Sequence, residues 1–119
     1  YCAFTWYPEV PELDEWLALY LQAARANGGE PRAGRHLLAW AHEAGFTEVE
    51  PSASAWCFAT PDRRELWGGM WEARILESDI ARQIVDQGLG TTADLERISA
   101  GWRRWADDPD HTSLRGRAR

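Results

Sequence analysis

Few side chains in this sequence have the type and spacing that a reaction or a metal site requires. His36 and His42 are six residues apart, which puts them on different sides of a helix and disfavours a shared metal ion. The sequence contains no glycine-rich phosphate loop, no HExxH, no GxSxG and no CxxC. Glu48 and Glu50 alternate as on the solvated face of a strand. We therefore predict no metal ligands, and the motifs leave the catalytic residues unknown.

Two arginines occupy an unusual position. Arg32 and Arg35 lie in the first turn of a predicted helix, where positive charge opposes the helix dipole. Such a position suits the binding of a carboxylate or a phosphate. The alternative is that both guanidinium groups are solvated or paired with a neighbour such as Glu30.

Tryptophan is unusually frequent, with eight among 119 residues. A buried indole needs an acceptor for its N–H, so this number indicates an aromatic-lined cavity or a broad interface. The alternative is ordinary core packing, because large aromatic side chains are mostly buried. The composition leaves both interpretations open.

Helices predicted from hydrophobic spacing must position these side chains. The first covers residues 12–27, and the second starts at Pro31 and stops at Gly45, which supplies a left-handed end. Three more helices are predicted to begin near Pro61, Ser78 and Thr92. Gly68 and Gly69 lie inside one of them, where they either weaken the helix or let another backbone or a ligand approach.

A strand is predicted over residues 48–59. From Thr47 the apolar positions recur every second residue, which gives a small apolar face and an opposite face that ends in aromatic side chains. Pro51 cannot donate a ladder hydrogen bond, so the strand is placed at a sheet edge.

Composition limits the possible partners. A net charge of −6 argues against nucleic acid, because phosphate binding needs a basic surface. No apolar run is long enough to span a bilayer and no signal segment is present, so we expect no membrane partner and a cytoplasmic location. Cys2 and Cys57 are predicted to be free thiols.

The order of elements resembles a known family. Residues 5–20, TWYPEVPELDEWLALY, and residues 24–75 are similar to the C-terminal third of class I S-adenosylmethionine-dependent methyltransferases of the ubiquinone/menaquinone-biosynthesis type. The most specific piece is AGRHLLAWAHEAGFTEV, residues 33–49. The resemblance covers roughly residues 1–109, and it implies a mostly helical α/β fragment that forms the C-terminal portion of a Rossmann-like sheet.

The resemblance also implies a position for each segment. Residues 1–4 would be the end of the fifth strand, residues 34–44 the last sheet-covering helix and residues 48–59 the sixth, edge strand. The implied domains are three. Residues 1–60 form a methyltransferase-like α/β part with a helical insertion at 12–27. Residues 61–107 form a helical region that covers the substrate, and residues 108–119 form a disordered tail.

The donor-binding part of the family is absent from this sequence. The glycine-rich turn and the acidic residue for the ribose are missing, so no residue here inherits a cofactor role. The complete enzyme would use S-adenosylmethionine, whereas this chain alone is expected to bind no cofactor and to be inactive. The tail is too polar to form the family's last strand, so the exposed sheet edge is expected to drive homo-oligomerisation.

The resemblance places a methyl acceptor beyond the carboxyl ends of the strands. We predict a small apolar or aromatic acceptor held between aromatic side chains, namely Trp6, Tyr7, Trp56, Trp67 and Trp71, with Phe58 near Trp56. Arg35, with Arg25 as a second candidate, would bind an acidic group. The alternative function is a non-catalytic helical module whose aromatic grooves bind a ligand or mediate dimerisation.

Overall fold

A computed structural model describes residues 4–108 of the chain and contains five α-helices and one 3₁₀ turn within that range. The 3₁₀ turn covers Ala33–Arg35. The α-helices are α1 (Pro11–Ala26), α2 (Leu37–Glu43), α3 (Pro61–Glu77), α4 (Asp79–Asp86) and α5 (Thr92–Asp107). Most of the predicted fifth-strand end, residues 1–4, and most of the predicted tail, residues 108–119, lie outside the described residues.

The predicted α/β fold is wrong, because residues 4–108 contain no strand and therefore no Rossmann-like sheet. Residues 48–59 were predicted to be an edge strand, yet their backbone makes no backbone–backbone hydrogen bond with any other described residue. Alternation of side chains describes an extended chain, but a strand also requires a neighbouring strand to pair with. No described segment provides that neighbour.

Local capping determines where the helices begin. The hydroxyl oxygens of Thr60 and Ser78 accept hydrogen bonds from the backbone N–H groups of Arg63 and Ala81, at the starts of α3 and α4. At α5, Thr91 and Asp94 form a reciprocal capping box.

A tight glycine contact joins the two longest C-terminal helices, which run antiparallel. A Cβ built on Gly68 of α3 would lie 2.7 Å from the Cβ of Ala106 on α5. The sequence left open whether Gly68 weakens its helix or lets another backbone or a ligand approach. The structure shows that it lets helix α5 approach. Gly101 gives α1 the same access to α5, since its Cβ would lie 2.7 Å from the Cβ of Glu12.

Tryptophan side chains form the centre of the core. Trp16, Trp71 and Trp102 come from α1, α3 and α5, and each is at most 1% exposed. The Trp16 ring makes edge-to-face contacts with the other two, at centroid distances of 4.6 Å and 4.9 Å. Aliphatic side chains surround them: Leu13, Ile75, Ile84, Leu95 and Ile98. Core packing is therefore the role of these three tryptophans.

The segment between α1 and α3 buries almost nothing. We call residues 33–57 the arm. No residue of the 3₁₀ turn or of α2 is buried, and Leu37, Phe46 and Trp56 are 60%, 64% and 77% exposed. Gly45 ends α2 with φ 94°, and the Phe46 N–H donates to the Ala41 carbonyl as expected for a left-handed helix stop.

Among residues 4–108, none of the helices combines the length and the hydropathy that a bilayer-spanning helix requires. In the same range, His, Cys, Asp and Glu side chains do not gather in threes around a point that a metal ion could occupy.

Candidate aromatic site

Three half-buried aromatic rings lie over the tryptophan core. We call Phe4, Phe58 and Trp67 the aromatic layer. Phe58 stacks on Trp67 with a centroid distance of 4.5 Å and an interplanar angle of 18°, and Phe4 lies 6.1 Å from Trp67. Phe4 also contacts the core directly, because its ring meets Trp16 edge-to-face at 5.6 Å.

The layer is assembled from three separate segments. Trp67 belongs to α3, whereas Phe4 and Phe58 come from the extended residues that precede α1 and α3. Neither segment forms a strand ladder with the described residues. The first is held by Phe4, Trp6 and Val10, which pack against the core. The second is held by the stacking of Phe58 on Trp67 and by a hydrogen bond from Arg63 to the Cys57 carbonyl.

The structure brings together only part of the predicted acceptor site. Trp67 lies in the aromatic layer, and Trp71 lies beneath it, 6.4 Å from Trp67 and only 1% exposed. Trp6 is half-buried against the core. Tyr7 and Trp56 are 72% and 77% exposed and make no ring contact with a described residue. Of the predicted set, Trp6 and Trp67 are therefore packed and still partly accessible, and Trp67 is the one that lies in the aromatic layer.

The predicted anion ligands stay away from this layer. Arg35 lies in the 3₁₀ turn and Arg25 in the last turn of α1; both are exposed. Neither forms an ion pair with a described residue. Glu30 pairs with no guanidinium of residues 4–108 either, and its carboxylate accepts a 2.8 Å hydrogen bond from the backbone N–H of Arg32.

A buried arginine was missed at the sequence level. Arg64 is only 2% exposed. It donates to the carbonyl oxygen of Trp105 and its guanidinium lies 4.4 Å from the centre of the Trp105 ring. Burial lowers the pKa of Arg64, an effect that the carboxylate of Asp108 partly offsets. Its spacing from Trp67 and Trp71, three and seven residues, placed it on the buried face of α3 and could have identified it.

The core tryptophans keep their indole N–H groups away from oxygen acceptors. Nε1 of Trp16, Trp71, Trp102 and Trp105 finds no hydrogen-bond partner among the described residues. The rings instead meet edge-to-face, an arrangement that the charge distribution of aromatic rings favours. These groups belong to the packing of the core.

Comparison with curated proteins connects this bundle to an enzyme class. The chain is 34% identical over 107 residues to an uncharacterized methyltransferase of Schizosaccharomyces pombe. The chain is similar to part of a methyltransferase. The match covers 86% of this chain and 36% of the relative, so the chain spans about a third of the length of that protein.

The other two comparisons gave no match. No family model matches the sequence, and no solved structure matches it. The similarity to the Schizosaccharomyces pombe protein agrees with the coarser part of the resemblance found in the sequence, that of a methyltransferase-related segment.

The described residues do not fit a methyl-donor cofactor. A glycine that lets a nucleotide approach should leave open space beside its Cα within a structured turn. Gly68 and Gly101 face neighbouring helices instead. Gly28, Gly45 and Gly88 have open space but lie at the ends of α1, α2 and α4, and Gly34, which also has open space, lies in the 3₁₀ turn. Within residues 4–108 no strand precedes any of them, whereas the glycine-rich turn of a dinucleotide-binding fold follows a strand.

Proposed function

We propose that this chain is the substrate-covering segment of an S-adenosylmethionine-dependent methyltransferase, and that it is inactive as the isolated chain. The observation that carries the proposal is the 34% identity over 107 residues to a protein named as a methyltransferase. The ubiquinone/menaquinone-biosynthesis type, suggested by the helix–AGF pattern of residues 33–49, is the subgroup that we propose.

The aromatic layer supports an acceptor that is small and apolar or aromatic. Stacked and tilted rings offer faces and edges to another ring, and such contacts add to the burial of apolar area. Trp67 is held on one side by Phe58 and from below by Trp71. We propose Trp67 as the principal acceptor contact and Trp6, which is half-buried against the core, as a second one.

The exposed arm supports the second part of the proposal. A helix of seven residues, such as α2, is not stable by its own propensity. Its apolar residues Leu37 and Leu38 are 60% and 40% exposed. We propose that the donor-binding portion of the methyltransferase covers them, because the matched segment is only 36% of the relative and the rest of that protein lies outside it.

Calorimetric titration with S-adenosylmethionine tests this proposal. The isolated chain should give no binding heat, and the protein extended by the residues encoded upstream of Tyr1 should bind the donor and transfer its methyl group. A Trp67→Ala variant of the extended protein should bind the donor normally and lose affinity for an aromatic acceptor. An extended protein that ignored the donor would overturn the proposal.

A second candidate is a non-catalytic module that dimerises or binds a ligand. The observation that favours it is the continuous core of α1, α3, α4 and α5, which requires nothing from outside. In this case the unpaired extended backbone of residues 47–59 would pair with a second copy. Light scattering after size exclusion separates the candidates, since this one predicts a dimer that dissociates when Trp56 is replaced by Asp.

A further inference from the structure

A groove of about 420 Å³ opens between α1, the end of α3 and α4. It lies away from the aromatic layer, because Arg74 on its wall is seven residues, or roughly 10 Å, further along α3 than Trp67. Its lining mixes apolar and polar side chains, including Tyr20, Ala24, Arg74 and Ile80. Its volume falls within the range of small-molecule sites in proteins.

Arg74 differs from every other arginine of α3, α4 and α5. Among the described residues, its guanidinium makes no ion pair and no hydrogen bond, and it lies over the Trp71 ring at 5.2 Å from the centroid. The remaining arginines of these helices each donate to a carboxylate or to a backbone carbonyl: Arg63, Arg64, Arg82, Arg97, Arg103 and Arg104. Arg74 therefore keeps its planar set of donors available at the groove wall.

The opposite wall of the groove is held in place by amide contacts. Asn27 donates to Gln83 at 2.9 Å, Gln83 donates back at 3.0 Å, and Gln83 also donates to the Ala23 carbonyl at 3.2 Å. These bonds tie the end of α1 to α4, so the groove keeps its width without a ligand. A preformed site loses less entropy on binding.

The chemistry of the lining selects among anions. Arg74 supplies the one unpaired charge of the lining, because the carboxylate of Asp79 in the same groove is already paired with Arg82, and the whole chain carries a net charge of −6. A dianion such as phosphate is disfavoured in that setting. A planar monoanion can accept two parallel hydrogen bonds from one guanidinium. An apolar body attached to it would lie on Ala24, Ile80 and the Tyr20 ring.

We propose that this groove binds a small organic monocarboxylate with an aromatic or aliphatic body, through Arg74. The site is independent of the proposed methyl transfer, since it uses none of the aromatic-layer residues.

Titration of the full chain with benzoate, benzamide and inorganic phosphate, followed by calorimetry and by ¹H–¹⁵N spectra, tests the proposal. Benzoate should bind saturably and shift the side-chain amide signals of Asn27 and Gln83. Neutral benzamide and phosphate should bind at least about tenfold more weakly, because hydrogen bonds to a charged partner carry the affinity.

Two substitutions and one control complete the test. Arg74→Gln should weaken benzoate about tenfold or more, and Ala24→Leu should block the groove while leaving its charge unchanged. Arg25→Gln removes another exposed, unpaired arginine that does not line the groove, and it should leave binding unchanged. Equal binding of benzoate and benzamide, or unchanged benzoate affinity in both groove variants, would overturn the proposal.

Discussion

Gly68 on α3 and Ala106 on α5 are so close that a Cβ on the glycine would lie 2.7 Å from the Cβ of the alanine. Real Cβ atoms do not approach to this distance, so the two helices can pack as they do only because position 68 lacks a side chain. The backbone carbonyl oxygen of Trp102 lies 3.2 Å from the same point, so a methyl group on residue 68 would also press against the backbone of α5.

Gly68→Ala should therefore destabilise the bundle by about 1–2 kcal/mol, because overpacking outweighs the gain in helix propensity. Gly69→Ala is a matched control on the next residue. The nearest neighbour of its Cβ would be the flexible carboxylate end of Glu65, at 3.2 Å. The free energy of unfolding of this variant should therefore rise by up to about 1 kcal/mol, because alanine has the higher helix propensity. Urea unfolding followed by far-ultraviolet circular dichroism measures both, and equal effects would contradict the proposed contact.

Replacing the buried Arg64 should lower the free energy of unfolding more than replacing its exposed neighbour Arg63. Arg64→Ala loses the hydrogen bond to the Trp105 carbonyl and the contact with the Trp105 ring, so we expect a loss of about 2 kcal/mol in the free energy of unfolding. Arg63→Ala loses a single exposed bond to the Cys57 carbonyl and should change it by less than about 0.5 kcal/mol. Similar losses in the two variants would contradict the buried role of Arg64.

Acid should weaken the contact between α1 and α5. Hydrogen bonding to its own backbone N–H and to Arg104 lowers the pKa of Glu12 below its ordinary value of 4.5. A carboxyl group whose pKa is lowered on folding stabilises the folded state above its unfolded pKa, and this contribution is lost as the pH falls through the folded value.

Glu12→Gln should consequently be less stable than the native chain by about 1 kcal/mol at pH 7. The difference should shrink below pH 4.5 and vanish once the native Glu12 is protonated. Thermal unfolding of both chains between pH 7 and pH 2 measures this. A difference that stayed constant with pH would mean that the charge of Glu12 contributes nothing to the contact.

Replacing Trp71 and Trp67, which lie one helical turn apart, should affect different properties, namely stability and acceptor binding. Trp71 is 1% exposed, so Trp71→Ala should lose about 3–5 kcal/mol of stability. Trp67 is half-buried, and Trp67→Ala should keep the fold. In the extended methyltransferase it should raise the KM for an aromatic acceptor about tenfold, equivalent to about 1.4 kcal/mol.

Trp67→Phe retains a ring for stacking and serves as the control, with little change expected in KM. Steady-state kinetics with a thermal unfolding curve for each variant separates the two effects. If Trp67→Ala left the KM unchanged, the aromatic layer would have no part in acceptor binding.

Sequence signals located the starts of α3, α4 and α5 because those signals are local, and Pro61, Ser78 and Thr92 lie at or next to these starts. Gly45 ends α2 in the left-handed conformation, as predicted, but α2 begins at Leu37 and not at Pro31. A cap is formed within one turn of its own helix, so the sequence contains all the information that it needs.

The strand and most of the site could not be predicted in the same way. A strand at residues 48–59 depends on a partner that alternation cannot supply, and none of the described residues supplies it. Likewise, tryptophan spacing placed Trp67 and Trp71 on one face of α3 but did not reveal which ring would be covered. That outcome depends on Trp16 and Phe58, which are far away in sequence.

The exposed arm gives the molecule an unequal resistance to proteolysis. Residues 33–57 bury almost nothing, so a protease can reach their backbone without first disrupting the core. Cleavage there would leave α1 on one fragment and α3 to α5 on the other, and the rings of Trp16, Trp71 and Trp102 would still hold the two pieces together. A nicked chain of this kind would migrate as two bands in denaturing gel electrophoresis while still eluting from a native column as a single species.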